Sequence, residues 1–190
     1  MAHIALPEGV PGILGPLMAY PATAWHLNGL AQALLRGVSS LTPAEREVIA
    51  TYVSFANDCF FCTSAHAATA RHLLGPQAQI VDQVTTDFKR APLSEKLKAL
   101  LIIAGKVQQG GRHVGEEDVV RARQLGADDK AIHDTVLIAA AFCMFNRYVD
   151  GLATWSPRDA AVYERIGEGL AHNGYVEDSR QDEGEVMLCP

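Results

Sequence analysis

The chain has no surplus of basic charge, few aromatic residues, few cysteines and no long apolar run. Its 190 residues carry 16 Lys and Arg against 22 Asp and Glu, a net charge of −6. That balance lacks the basic face a nucleic-acid partner requires, so no nucleic-acid binding is expected. The longest apolar stretch, Val136–Phe145, falls far short of the roughly 18 residues that span a bilayer, so no membrane segment is expected either. Four cysteines are too few to staple a chain of this length as a disulfide framework. The N-terminal stretch is apolar but has no basic leader, and Pro7, Pro11, Pro16 and Pro21 interrupt it. It does not read as a secretory signal, and a soluble, cytoplasmic protein is expected.

Alternation of the kind that makes strands is also missing. Helical periodicity fills the space instead, with 48% hydrophobic and 20% charged residues, enough to bury one core. Thr42-Pro43-Ala44-Glu45 is a helix start: a capping threonine, a proline at the first helical position and a glutamate that closes a capping box. Beyond it Val48, Tyr52 and Phe55 form one apolar stripe, with Ile49, Val53 and Ala56 beside it. Glu47, Ala50 and Ser54 share a different, small-residue face. Asn57-Asp58 can end this helix and cap a second, running from Cys59 to about Leu74, where Gly75-Pro76 stops it. Further helices are expected over about 77–88, from Ser94-Glu95 to Gly110-Gly111, on both sides of the Gly126 turn with Asp128 as a cap, and over about 157–170. The helix from Asp129 to Gly151 is apolar almost all round in its middle, as a central core or subunit-interface helix would be. The segments beginning at Leu41 and Pro92 resemble each other as a degenerate repeat. The expected fold is all-α, one compact multi-helix domain over 1–190, with an N-terminal arm (1–22) and an acidic C-terminal tail (174–190).

The stretch "NDCFFCTSAHAATARH", Asn57 to His72, carries the chemistry. On a helix starting at or just before Cys59, the positions 59, 62 and 66 stand at i, i+3 and i+7, so Cys59, Cys62 and His66 can converge. Cys62 and His66 are an i, i+4 pair, and a histidine there can accept a thiol proton or stabilise a thiolate. Cys59 lies at the helix N-terminus, where free N–H groups favour an anion. Two adjacent thiols, one activated, are what disulfide exchange needs. Covalent haem attachment is excluded because Thr63, not histidine, follows Cys62. A thioredoxin-type site would need strands. Zinc could use Cys59, Cys62 and His66 with a fourth ligand from Glu47 or Cys143. Two buried thiols beside an ordinary histidine is the plain alternative. Redox pair, zinc clasp and structural thiols all stay open on the residues alone.

Taken together, "LTPAEREVIATYVSFANDCFFCTSAH" resembles the alkylhydroperoxidase D-like, or carboxymuconolactone decarboxylase-like, superfamily, and within it a group of uncharacterised peroxidase-related proteins. The family pattern is a glutamate twelve residues before a C-x-x-C, then a histidine four after the second cysteine. Here these are Glu47, Cys59, Cys62 and His66. "FCMFNRYVDGLA", Phe142 to Ala153, resembles the family's later core helix, so the likeness spans about 41–153.

The resemblance implies an all-helical homo-oligomer, a trimer or hexamer, that reduces hydroperoxides with an unidentified thiol reductant and without a metal or other cofactor. Cys62, paired with His66, would attack the peroxide; Cys59 would resolve the product as a disulfide; Glu47 would join His66 in a proton relay. The alternative is a non-enzymatic redox-responsive or zinc-binding helical oligomer. The prototype of the family has a histidine where this chain has Phe61, which makes the pocket drier. The decarboxylase branch does not use a cysteine pair.

Elsewhere, Cys143 reads as a core thiol and Cys189 as incidental. His72 and His133 have no evident partners, Asn146 and Arg147 could cap or bridge helices, and Trp25 and Trp155 read as packing residues.

Overall fold

The structure, a computed structural model, describes residues 1–176. Among them are nine α-helices and two short 3₁₀ turns, and no strand. The helices are α1 (Leu14–Ala19), α2 (Pro21–Arg36), α3 (Pro43–Ala56), α4 (Phe60–Leu74), α5 (Ile80–Asp87), α6 (Glu95–Gln109), α7 (Glu116–Gln124), α8 (Asp129–Gly151) and α9 (Ala160–Asn173). The all-α expectation holds. No helix is long and apolar enough to cross a membrane among the described residues. Of the tail expected from residue 174, Gly174, Tyr175 and Val176 are described; the rest, with Cys189, lies outside the described residues.

Local chemistry accounts for most of the boundaries. Thr42 accepts the Glu45 N–H while Glu45 accepts the Thr42 N–H, closing the capping box of α3. Ser94 and Asp128 cap α6 and α8 through Leu97 N and Ala131 N. The N-terminal arm is more helical than its prolines suggest. Pro16 falls in the first turn of α1 and Pro21 opens α2, positions whose N–H groups have no intrahelical partner to lose. Helix α9 starts a turn later than expected at Pro157, because Asp159 accepts the Ala161 N–H and takes the cap.

The core lies among α2, α3, α6 and α8, where Leu35, Ile49, Val53, Leu100, Leu101, Ile103 and Ile138 have no solvent exposure. Each such side chain contributes about 1.5–3 kcal/mol on burial. Helix α8 is a core helix on one side only: Ile138, Ala139 and Phe142 are buried, but Val136, Leu137 and Met144 are exposed. Trp25 and Trp155, expected to pack, are 68% and 52% exposed. Helix α4 packs along α3 on one side and α9 on the other. The α4–α9 approach depends on Gly167, where a Cβ would stand 2.6 Å from Ala68 Cβ and 2.7 Å from its backbone carbon.

The corner between α3 and α4 is bolted to α8. Asn57 ends α3, and Asp58 takes φ +58° in the left-handed region, where aspartate is tolerated. The cap of α4 is therefore Cys59, not Asp58. Asn57 donates to Asn146 Oδ1 at 2.8 Å, and Asn146 donates to Ser54 Oγ at 3.1 Å. The Cys59 N–H donates to Ser54 O at 3.1 Å. Asn146, which could have been a cap or a bridge, is a fully buried bridge between helices; Arg147 bonds its own helix at Cys143 O.

Candidate active site

The two cysteines sit together at the start of α4. Cys62, inside α4, is 3% exposed and Cys59, the cap residue before it, is 0% exposed. Both belong to an apolar cluster with Phe61, Val149 and Tyr163. Both are free thiols, and the side chains hydrogen-bond each other. That bond and burial push the Cys59 thiol well up, while the Cys62 backbone N–H pulls the other way. Next to Cys59 the carboxyl of Asp150 on α8 is raised above the usual carboxylate range by partial burial and the Asp58 charge, against the hydrogen bond from the Cys59 thiol. Cys62 and His66 line one cavity, as their i, i+4 spacing suggests; Cys59 does not line it.

Glu47 is the residue whose position the sequence alone could not supply. It lies on the small-residue face of α3, and Ala50 and Ser54 are buried beside it. Those small side chains let α4 come close, and Glu47, 0% exposed, meets His66 across the gap: Oε2 is 2.8 Å from His66 Nδ1. Its other oxygen, Oε1, accepts from Arg36 Nη1 at 2.8 Å and from the Tyr175 hydroxyl at 2.6 Å. Burial pushes the Glu47 carboxyl up, but His66, Arg36 and the Tyr175 hydroxyl outweigh it and hold it below its ordinary range. The ionised carboxylate can only accept, so Nδ1 carries a proton and donates to Glu47, and Nε2 is the ring nitrogen left for other partners. Phe142 of α8 stands edge-on to the imidazole, centroids 4.6 Å apart.

Arg36 and Tyr175 were missed in the sequence. Arg36, the last residue of α2, also donates through Nη2 to Leu170 O near the end of α9 at 3.0 Å. Tyr175 comes from the stretch read as an acidic tail. They lie 11 and 128 positions from Glu47, and no spacing rule links them. Only the Gly174 stop signal after α9 marks where the chain turns inward.

The cavity has a volume of about 370 Å³. Its walls are mostly apolar, with Leu14 and Leu17 from α1, Leu27 from α2, Phe142 and Phe145 from α8 and Ile166 from α9. Among the described residues, the polar side chains on the wall are Cys62, His66, Tyr175 and Asn28. Phe61 is 3% exposed, packed between Gly12 and Tyr163, and forms dry wall.

For a metal the donors are poorly placed. Glu47 is occupied by Arg36 and His66, and Cys143 bonds weakly with Asn57 at 3.6 Å. Among the described residues no group of three or more potential ligands is arranged to hold a metal ion. His72 and His133, which had no evident partners, lie beside Glu164 and Asp134.

Comparison with known proteins fits this arrangement. Residues 21–87, which hold Glu47, both cysteines and His66, match the carboxymuconolactone decarboxylase family. An uncharacterised peroxidase-related protein from Silicibacter sp. TM1040 superposes with a TM-score of 0.71 at 29% identity, over 79% of this chain and 78% of that one. The alkylhydroperoxidase D core of an uncharacterised peroxidase-related protein from Ralstonia eutropha JMP134 gives a TM-score of 0.73 at 28% identity, over 83% and 80%.

The chain is thus similar to the carboxymuconolactone decarboxylase family over residues 21–87 and shares its fold with these alkylhydroperoxidase D-like structures. The same fold recurs at 19% identity in a protein of unknown function from Agrobacterium tumefaciens, TM-score 0.65, over 78% of this chain and 99% of that one. No curated protein matches the chain.

Proposed function

We propose that the protein is a thiol peroxidase that reduces organic hydroperoxides with the Cys59–Cys62 pair. The observation that carries this is that Cys62 and His66 line one apolar cavity, while a buried, ionised Glu47 holds the Nδ1 side of the imidazole. Nε2 accepts the Cys62 thiol proton. The thiolate attacks the terminal peroxide oxygen, the O–O bond breaks, and the imidazolium protonates the departing alkoxide, giving Cys62 sulfenic acid and an alcohol. Cys59 then displaces the sulfenic hydroxyl as water and forms the disulfide, which an external thiol returns to two thiols. The peroxide gains two electrons and the thiols lose two.

The apolar wall suits a hydroperoxide with a hydrocarbon body better than hydrogen peroxide, which would gain nothing from it. It suits a carboxylate poorly, because Arg36 lies behind Tyr175 and, among the described residues, no arginine or lysine lines the cavity. That weighs against the decarboxylase branch, as do two thiols it would not use. The names of the two peroxidase-related neighbours support the same reading.

Titration of free thiols before and after one equivalent of cumene hydroperoxide tests it. The wild type should lose two thiols, Cys59→Ser should stop at a sulfenic acid, and Cys62→Ser should hardly react. Thiols that ignore peroxide and become titratable only after chelation would replace the redox reading with a metal clasp.

A further inference from the structure

We propose that Tyr175 is a positioning residue for the thiol chemistry: its hydroxyl, donated to Glu47 Oε1, turns the other carboxylate oxygen onto His66 Nδ1 and keeps Nε2 free to accept the Cys62 proton. This rests on the thiol-peroxidase reading for its purpose, but not for its test.

The chain goes to some length to put this phenol in place. Gly174 turns at φ +74°, and a Cβ there would stand 2.5 Å from Gln32 Oε1. That same oxygen accepts the Tyr175 N–H at 2.8 Å, so the turn and its anchor are built together. The ring then lies nearly parallel to His66, 14° between planes and 6.2 Å between centroids, with the Arg36 guanidinium 5.2 Å from its centre on α2. A phenylalanine would fill the same volume. What only tyrosine adds is the hydroxyl, 2.6 Å from Glu47 Oε1 and 3.3 Å from His66 Nδ1.

One hydroxyl proton can be donated once, and the shorter contact to a carboxylate is the stronger bond. The groups facing the imidazole from the surrounding elements are Glu47 of α3, Tyr175 after α9 and the uncharged Phe142 of α8, with Arg36 of α2 behind the carboxylate. Burial and the Glu47 charge push the Tyr175 hydroxyl well above its ordinary range, so it stays a donor wherever the protein works. A donor on the carboxylate makes it a weaker base toward Nδ1–H. Without the donor Glu47 grips the Nδ1 proton more tightly and favours the charged ring over the neutral one that accepts from Cys62.

The test is the pH profile of Cys62 alkylation by iodoacetamide in the full chain carrying Cys59→Ser, with the Cys62 peptide followed by mass spectrometry. Adding Tyr175→Phe should move the acid limb to higher pH and slow alkylation about tenfold on that limb, with little change on the alkaline plateau. Gln32→Ala, which frees the backbone anchor and leaves the hydroxyl in the chain, should move the limb the same way by less. A Tyr175→Phe profile that overlays the parent, is scaled equally at every pH, or moves to lower pH overturns the proposal. Alkylation needs no peroxide, so failure of the peroxidase reading shows separately, as a Cys62 that alkylates normally and ignores cumene hydroperoxide.

Discussion

Glu47 is where stability and chemistry meet in one side chain. Its carboxylate compensates the Arg36 charge and orients His66, so substitution should damage both. Glu47→Gln keeps the shape but leaves Arg36 without a counter-ion, a loss of about 3–5 kcal/mol for a buried pair broken on one side. Urea unfolding should show that loss, and peroxide-dependent thiol oxidation should fall at least tenfold. The double variant Arg36→Met, Glu47→Leu should recover much of the stability but none of the activity. If the single and double variants were equally unstable, packing rather than charge would be holding this corner. Little of this could be read along the chain. The i, i+4 rule places Cys62 with His66 because both ride one helix. Glu47 meets them only because Ala50 and Ser54 let α4 come close, a fact of packing rather than of spacing.

At the level of elements, the closeness of α9 to α4 sets the cavity wall. Gly167 faces the backbone of Ala68 and Thr69, whereas Gly169, two residues on, has nothing within 4 Å. Gly167→Ala should therefore cost about 1–3 kcal/mol by overpacking, and it should loosen the wall formed by Ile166 and Leu170. Gly169→Ala should instead stabilise by about 0.5–1 kcal/mol, the ordinary preference of a helix interior. Thermal melts of the two variants should move in opposite directions. Helix starts such as Thr42-Pro43-Ala44-Glu45 were legible because capping is local chemistry. The helicity of the arm was harder to see, since a proline in the first turn of a helix and one in a loop look alike in sequence.

For the whole molecule, the buried and bonded carboxylates fix how it responds to acid. Asp134, 3% exposed, is pushed up by burial, but Lys130, Ser39 and His133 hold it below its ordinary range, as the site holds Glu47. A carboxyl depressed in the folded state adds stability that is complete above its unfolded pKa, about 4. That stability is lost as pH falls through the lower folded value. The urea midpoint should be nearly flat from pH 7 to 5 and fall steeply below 4, and Asp134→Asn should flatten part of that fall. The Arg36 contacts have a consequence in time as well. During vectorial synthesis both cysteines and His66 leave the ribosome more than a hundred residues ahead of Leu170 and Tyr175, the last groups to reach Arg36 and Glu47. The nascent chain therefore carries these thiols before their clamp exists, and the Glu47 network closes only when α9 docks.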